Sequence, residues 1–153
     1  MSSNSSKSPK KILVIKLSAL GDVIHTLPVP RTLRKEYPDA YIAWMIEERY
    51  QELLYNNPDI DEIITIRTKV WRKNWSKKTF NEILQTIKNL RQKKFDIVFD
   101  LHGLIKSGII AMLSGAKTKI GFHKNNCKEK ISSIFTNKKG PYMAGGIHVV
   151  DMY

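Results

Sequence analysis

KILVIKLSALGD, from Lys11 to Asp22, reads as a buried strand, a tight loop and the start of a helix. Ile12 to Ile15 form an apolar run rich in β-branched residues, as expected of a parallel strand covered on both faces. Ser18, Ala19, Leu20 and Gly21 then turn the chain, and Asp22 opens the next amphipathic segment. This order sets a carboxylate beside the carboxyl end of the first strand, the edge where open α/β sheets place their chemistry. The stretch is not a dinucleotide fingerprint. That motif needs three spaced glycines, whereas here Gly21 stands alone and Asp22 would repel a phosphate. Asp22 has two readings from chemistry alone: a helix N-cap or a general base.

Working outward, Met1 to Lys10 is rich in Ser and Lys with nothing to bury, so a disordered tail is expected. Asp22 to Tyr37 reads as a helix with Val23, Leu27 and Leu33 inward, kinked or shortened by Pro28 and Pro30. Tyr41 to Ile46 and Ile63 to Ile66 read as further strands, with a short helix from Glu47 to Tyr55 between them. Phe80, Ile83, Leu84, Ile87 and Leu90 recur at helical spacing, which predicts an amphipathic crossover helix over Thr79 to Lys94 whose stripe is core. Phe95 to Leu101 is the fourth strand, and it delivers Asp100 and His102 to the same edge as Asp22. Leu104 to Leu113 continues as a helix and Lys117 to Gly121 as a fifth strand. Alternating strands and helices predict a Rossmann-like parallel sheet with helices on both faces.

Arg67 to Lys78 differs in kind. Six cations, Arg67, Lys69, Arg72, Lys73, Lys77 and Lys78, are interleaved with Trp71 and Trp75. It is either a solvated basic face over two tryptophans or an anion-binding loop, since arginine offers a planar fork suited to carboxylate and phosphate.

Several of these stretches together resemble the bacterial lipopolysaccharide heptosyltransferases, most closely the heptosyltransferase I type. They are KILVIKLSALGDVIHTLP, Trp71-Arg72-Lys73, DLHGLIKS from Asp100 to Ser107, IGF from Ile120 to Phe122, and HVVD from His148 to Asp151. The resemblance implies a GT-B arrangement of two Rossmann-like domains, with residues 11–153 forming the first, acceptor-binding one. It implies Asp22 as catalytic base and an acidic sugar acceptor held by Ser18, Gly21, Arg67, Trp71, Arg72, Lys73, Lys106 and Lys128. The acceptor it implies is the Kdo inner core on lipid A. ADP-heptose would be bound only with a second domain, so the isolated 153-residue chain is expected to be inactive. His102 stands where family members commonly have Gln, and Lys128-Glu129 where they tend to carry Arg-Glu. Lysine keeps that charge without the bidentate fork.

The 153 residues suit one domain, with 42% hydrophobic residues for a core. Lys plus Arg is 26 against 14 acidic residues, a net charge of +12 that favours anionic partners. The single cysteine, Cys127, rules out an internal disulfide and fits a reducing compartment. A cytoplasmic protein, free or peripheral on the cytoplasmic face of the inner membrane, is expected. Scattered histidines and a partnerless Cys127 predict no metal site, and no cofactor is expected. A basic nucleic-acid-binding module is the competing class, since Trp71 and Trp75 could stack on bases. No nucleic-acid motif is present, and Asp22 sets a negative charge where a backbone would run, so nucleic acid is not an expected partner. A non-catalytic acceptor-binding domain is the other alternative.

Overall fold

The computed structural model describes residues 8–140. The tail up to residue 7 and the HVVD stretch at His148–Asp151 lie outside the described residues. The first strand, β1 (Lys11–Ile15), is central. It pairs in parallel with β2 (Tyr41–Glu47) on one side and β4 (Ile97–Asp100) on the other, so that Ile15 lies beside both Met45 and Asp100. β3 (Glu62–Ile66) extends the sheet beyond β2, while β5 (Thr118–Gly121) and β6 (Lys138–Lys139) extend it beyond β4. The order is β3-β2-β1-β4-β5-β6, all parallel. The chain therefore winds outward from β1 in one direction, then returns to its other side. That reversal opens a crevice at the carboxyl ends of β1 and β4.

Alternate side chains of β1 feed two separate cores, as strand geometry requires. Ile12 and Val14 pack with Val23 of α1 (Leu20–Thr26), Val29 and Leu33 of α2 (Pro28–Glu36), and Leu54 of a 3-10 turn. Leu13 and Ile15 face the other way, onto Leu90 of α4 (Lys77–Gln92) and Ala111 of α5 (Ile105–Leu113). With cover on both faces, β1 and β2 hold almost wholly buried residues, which explains their uninterrupted apolar runs.

Several elements differ from the sequence reading, each for a local reason. The stretch Asp22 to Tyr37 is two helices, because Pro28 lacks the N–H that would continue α1 and instead opens α2. α1 begins at Leu20 with Ala19 as its N-cap, so Asp22 lies in the first turn rather than capping it, and Gly21 is helical rather than part of the turn. The basic loop after Arg67 folds into a short helix, α3 (Thr68–Lys73). The expected five strands become six, β6 being a two-residue strand that pairs beyond β5. The stripe on α4 is core only in part: Leu90 is buried, whereas Phe80 and Leu84 are exposed.

Leu13 is fully buried at the centre of the second core. Leu13→Ala should lower the unfolding free energy by about 2 to 5 kcal/mol in urea titration. A loss well under ~1 kcal/mol would mean that this side chain does not hold β1 to its helices.

Candidate active site at the carboxyl ends of the central strands

Lys16 follows β1 directly and is only 2% exposed. Its Nζ donates to the Leu101 carbonyl at 2.9 Å, which ties the end of β1 to the residue after β4. Burial lowers its pKa to about 8, opposed by the nearby negative charge of Asp22. The turn through Ser18, whose peptide to Ala19 is cis, leads into α1 and carries Asp22 over the crevice. The Asp22 carboxylate accepts the Ala19 backbone N–H and, at 2.6 Å, a hydrogen bond from Lys128 Nζ. Partial burial works against its charged form. The Lys128 hydrogen bond, with the charges of Lys16 and Lys128, outweighs it and holds the carboxyl below its ordinary value.

Lys128 is 106 positions from Asp22 in sequence, and a small assembly brings it there. Gly103, at φ +68°, turns the chain after β4, and a Cβ on it would lie 3.1 Å from the Phe122 ring and 3.4 Å from the Lys128 backbone nitrogen. The Gly103 carbonyl accepts the Glu129 N–H at 3.0 Å. The Glu129 carboxylate in turn accepts the Ile105 N–H at 2.6 Å, in the first turn of α5, where a negative charge is favoured. The segment is thus pinned on both sides of Lys128's neighbour, with the ammonium over Asp22.

Beneath lie Asp100 and His102. Burial raises the Asp100 carboxyl, against hydrogen bonds that include the His102 N–H at 3.0 Å and the Gly103 N–H at 3.4 Å. His102 is 2% exposed and neither ring nitrogen has a hydrogen-bond partner among the described residues. Burial first, then the charges of Lys16, Lys106 and Lys128, push its pKa down to about 3, so the ring is neutral at pH 7.

Beside this cluster runs an open groove of about 750 Å³ between α3 and α5, with Trp71, Leu104 and Ile109 in its wall and Lys69, Arg72 and Lys106 among its cations. Lys106 Nζ lies 3.5 Å from Thr68 Oγ1, and Thr68 in turn bonds the buried Glu47. Burial lowers the Lys106 pKa, with Glu47 opposing. Arg72 and Lys73 are exposed in the last turn of α3. Arg67 gives two N–H groups to Glu82, at 3.1 and 2.6 Å. Among the described residues no three His, Cys, Asp or Glu side chains converge as metal ligands would.

Residues 83–153 match the model of glycosyltransferase family 9 (heptosyltransferase). Lipopolysaccharide heptosyltransferase 1 of Pseudomonas aeruginosa is 30% identical over 142 residues, 92% of this chain and 40% of that protein. The Campylobacter coli protein of the same name is 33% identical over 129 residues, 84% of this chain and 35% of that one. The solved structure of the Escherichia coli heptosyltransferase WaaC with ADP-2-deoxy-2-fluoro heptose superposes with a TM-score of 0.84 at 28% identity, over 93% of this chain and 45% of that one. The chain is similar to the heptosyltransferases over most of its own length. It spans less than half the length of these relatives and takes the fold of a GT-B glycosyltransferase segment.

Within this chain, Asp22 and Lys128 come into direct contact, and Ser18 and Gly21 flank them on the turn and in the first turn of α1. A Cβ on Gly21 would meet nothing within 4 Å, so the backbone there has open space beside it. Trp71, Arg72 and Lys106 gather in the neighbouring groove. Arg67 stands apart from that groove, its guanidinium paired with Glu82 of α4. Lys16 was not foreseen as a site residue. Its signal was a lone cation closing an apolar strand just before the loop.

Two measurements follow from the electrostatics. In Lys128→Met, the carboxyl titration of Asp22 followed by carbon NMR should move upward from its depressed wild-type midpoint; an unmoved midpoint would assign the depression to other groups. For Lys16, the folded pKa lies below the unfolded one. Between about 8 and 10.5 the unfolded chain keeps a proton that the folded chain has shed. Stability from this group therefore rises with pH across that window and is reduced below it. Unfolding free energies measured from pH 7 to 10 should climb relative to Lys16→Met, and parallel curves would refute the shift.

Proposed function

We propose that this chain forms the acceptor side, and supplies the base, of an inverting transfer of heptose from ADP-heptose to the Kdo inner core of lipid A, at the cytoplasmic face of the inner membrane. The observation that carries this reading is the Asp22–Lys128 pair at the β1/β4 crevice, with Lys16 buried behind it. Asp22 is the carboxylate that takes the proton as the acceptor hydroxyl oxygen forms its bond to the anomeric carbon. The bond from that carbon to the diphosphate breaks, and ADP departs with the electron pair.

A carboxylate held below its ordinary pKa is a weak base, and Lys128 resolves the difficulty. Its ammonium is half exposed, so an incoming acidic sugar can compete for it. Drawing Lys128 toward the acceptor anion removes the contact that depresses Asp22, and its basicity rises as substrate arrives. Lys106, Arg72 and Lys73 add positive charge along the path to the crevice. The donor diphosphate is assigned to the part of the relatives' length that this chain does not span, because Asp22 beside Gly21 would repel it here. Among the described residues no helix is long and apolar enough to cross a membrane, so on this reading the acceptor is met at the bilayer surface.

In the full-length enzyme, Asp22→Asn should leave binding of a soluble, deacylated Kdo acceptor nearly intact and reduce turnover by about 10² to 10⁴-fold. Near-normal turnover would leave Asp22 with only a structural role at the start of α1.

A further inference from the structure

The face of α4 turned away from the sheet has no place in the reaction, yet it is apolar. Leu90 is the position of its stripe that is fully buried. Phe80 and Leu84, one helical turn apart, are 54% and 48% exposed, and Trp75 just before the helix is 75% exposed. Trp75 and Phe80 line one shallow depression together with Lys77. Apolar side chains grouped on the surface in this way mark an interaction site.

We propose that this face, led by Trp75, Phe80 and Leu84, seats the protein on an anionic phospholipid bilayer. The inference rests on the proposed lipid-borne acceptor for its purpose, but its own evidence is the composition of the face. Arg72, Lys73, Lys77, Lys78 and Lys88 surround the apolar residues in sequence, and the sole acidic residue of that stretch, Glu82, is occupied by Arg67. Lysine is depleted from the cores of protein interfaces. It is favoured beside anionic lipid headgroups, where tryptophan also concentrates. A second protein would have to desolvate these ammonium groups, whereas a bilayer lets the lysine stems lie along its surface with their charges among phosphates. The face is also continuous with the acceptor side. Trp75 lines both the depression with Phe80 and the groove that holds Trp71, Arg72 and Lys106. Docking by α4 would therefore bring that groove to the level of the headgroups, where a lipid-borne sugar is presented.

The test is co-sedimentation of the chain with phosphatidylcholine vesicles, with and without phosphatidylglycerol, alongside calorimetric binding of a soluble, deacylated Kdo acceptor. The chain should bind the anionic vesicles, release them as salt rises, and bind neutral vesicles far less. Phe80→Ala/Leu84→Ala, which leaves the groove residue Trp75 in place, should weaken vesicle partitioning by about tenfold or more and leave soluble-acceptor binding unchanged. Both side chains are exposed, so an unchanged thermal transition will show that the variant is folded. No vesicle binding, or equal binding by wild type and variant, overturns the docking face even if the soluble acceptor binds. Vesicle binding that the variant loses, without any acceptor binding, upholds the face and sinks the proposed function instead. Loss of self-association in the variant with vesicle binding unchanged would hand the face to a second copy of the chain and overturn the inference.

Discussion

An ammonium taken out of water costs several kcal/mol unless hydrogen bonds and opposite charge offset it, and Lys16 meets this constraint where two strands end together. Its bond to the Leu101 carbonyl fixes the close of β1 against the exit of β4. The backbone repeats the tie: Leu101 N–H donates to the Ile15 carbonyl at 3.0 Å, and the Lys16 carbonyl accepts the Trp44 indole N–H at 3.1 Å. Everything that gives the crevice its chemistry hangs from this knot. The turn to Asp22 leaves from one side of it, and the turn to His102 and Gly103 from the other.

The charge order around the knot is alternating rather than simply positive. Lys16, Asp22 and Lys128 run plus, minus, plus, and Asp100 lies buried below with backbone donors around it. A chain with a net charge of +12 nevertheless keeps a carboxylate ionised at its centre, because the cations next to it favour the charged form. Burial, helped by the neighbouring cations, keeps His102 neutral, and the ring becomes a space-filling partner of the strand ends. That is a physical reason to leave it out of proton transfer.

Much of the fold could be read from local pattern. Ile12 to Ile15 and Tyr41 to Ile46 announced doubly covered strands, and Asp22 was placed correctly because a strand, a loop and a helix start follow one another without interruption. Contacts between distant segments were not legible. Nothing near Asp22 names Lys128, and the pairing arises only because Gly103 and Glu129 fold the later segment back. The two-residue β6 is too short for any periodicity to show. Arg67 looked like its neighbours by residue type, and only the position of Glu82 on α4 separates it from them. The α4 stripe misled for the opposite reason: its period was true, but the sheet covers only part of its width.

β6 has a consequence for how the folded chain behaves in company. Among the described residues it forms one margin of the sheet, two residues long and made of Lys138 and Lys139, both exposed. An exposed strand margin offers unpaired amide groups on which another chain can add a strand and begin to aggregate. Here that template is cut to two residues: Lys138 is exposed, while the Lys139 ammonium is held back on Ser133 and Thr136. The feature that escaped the sequence reading for being so short leaves, by its shortness, little length at that margin on which another chain could add a strand.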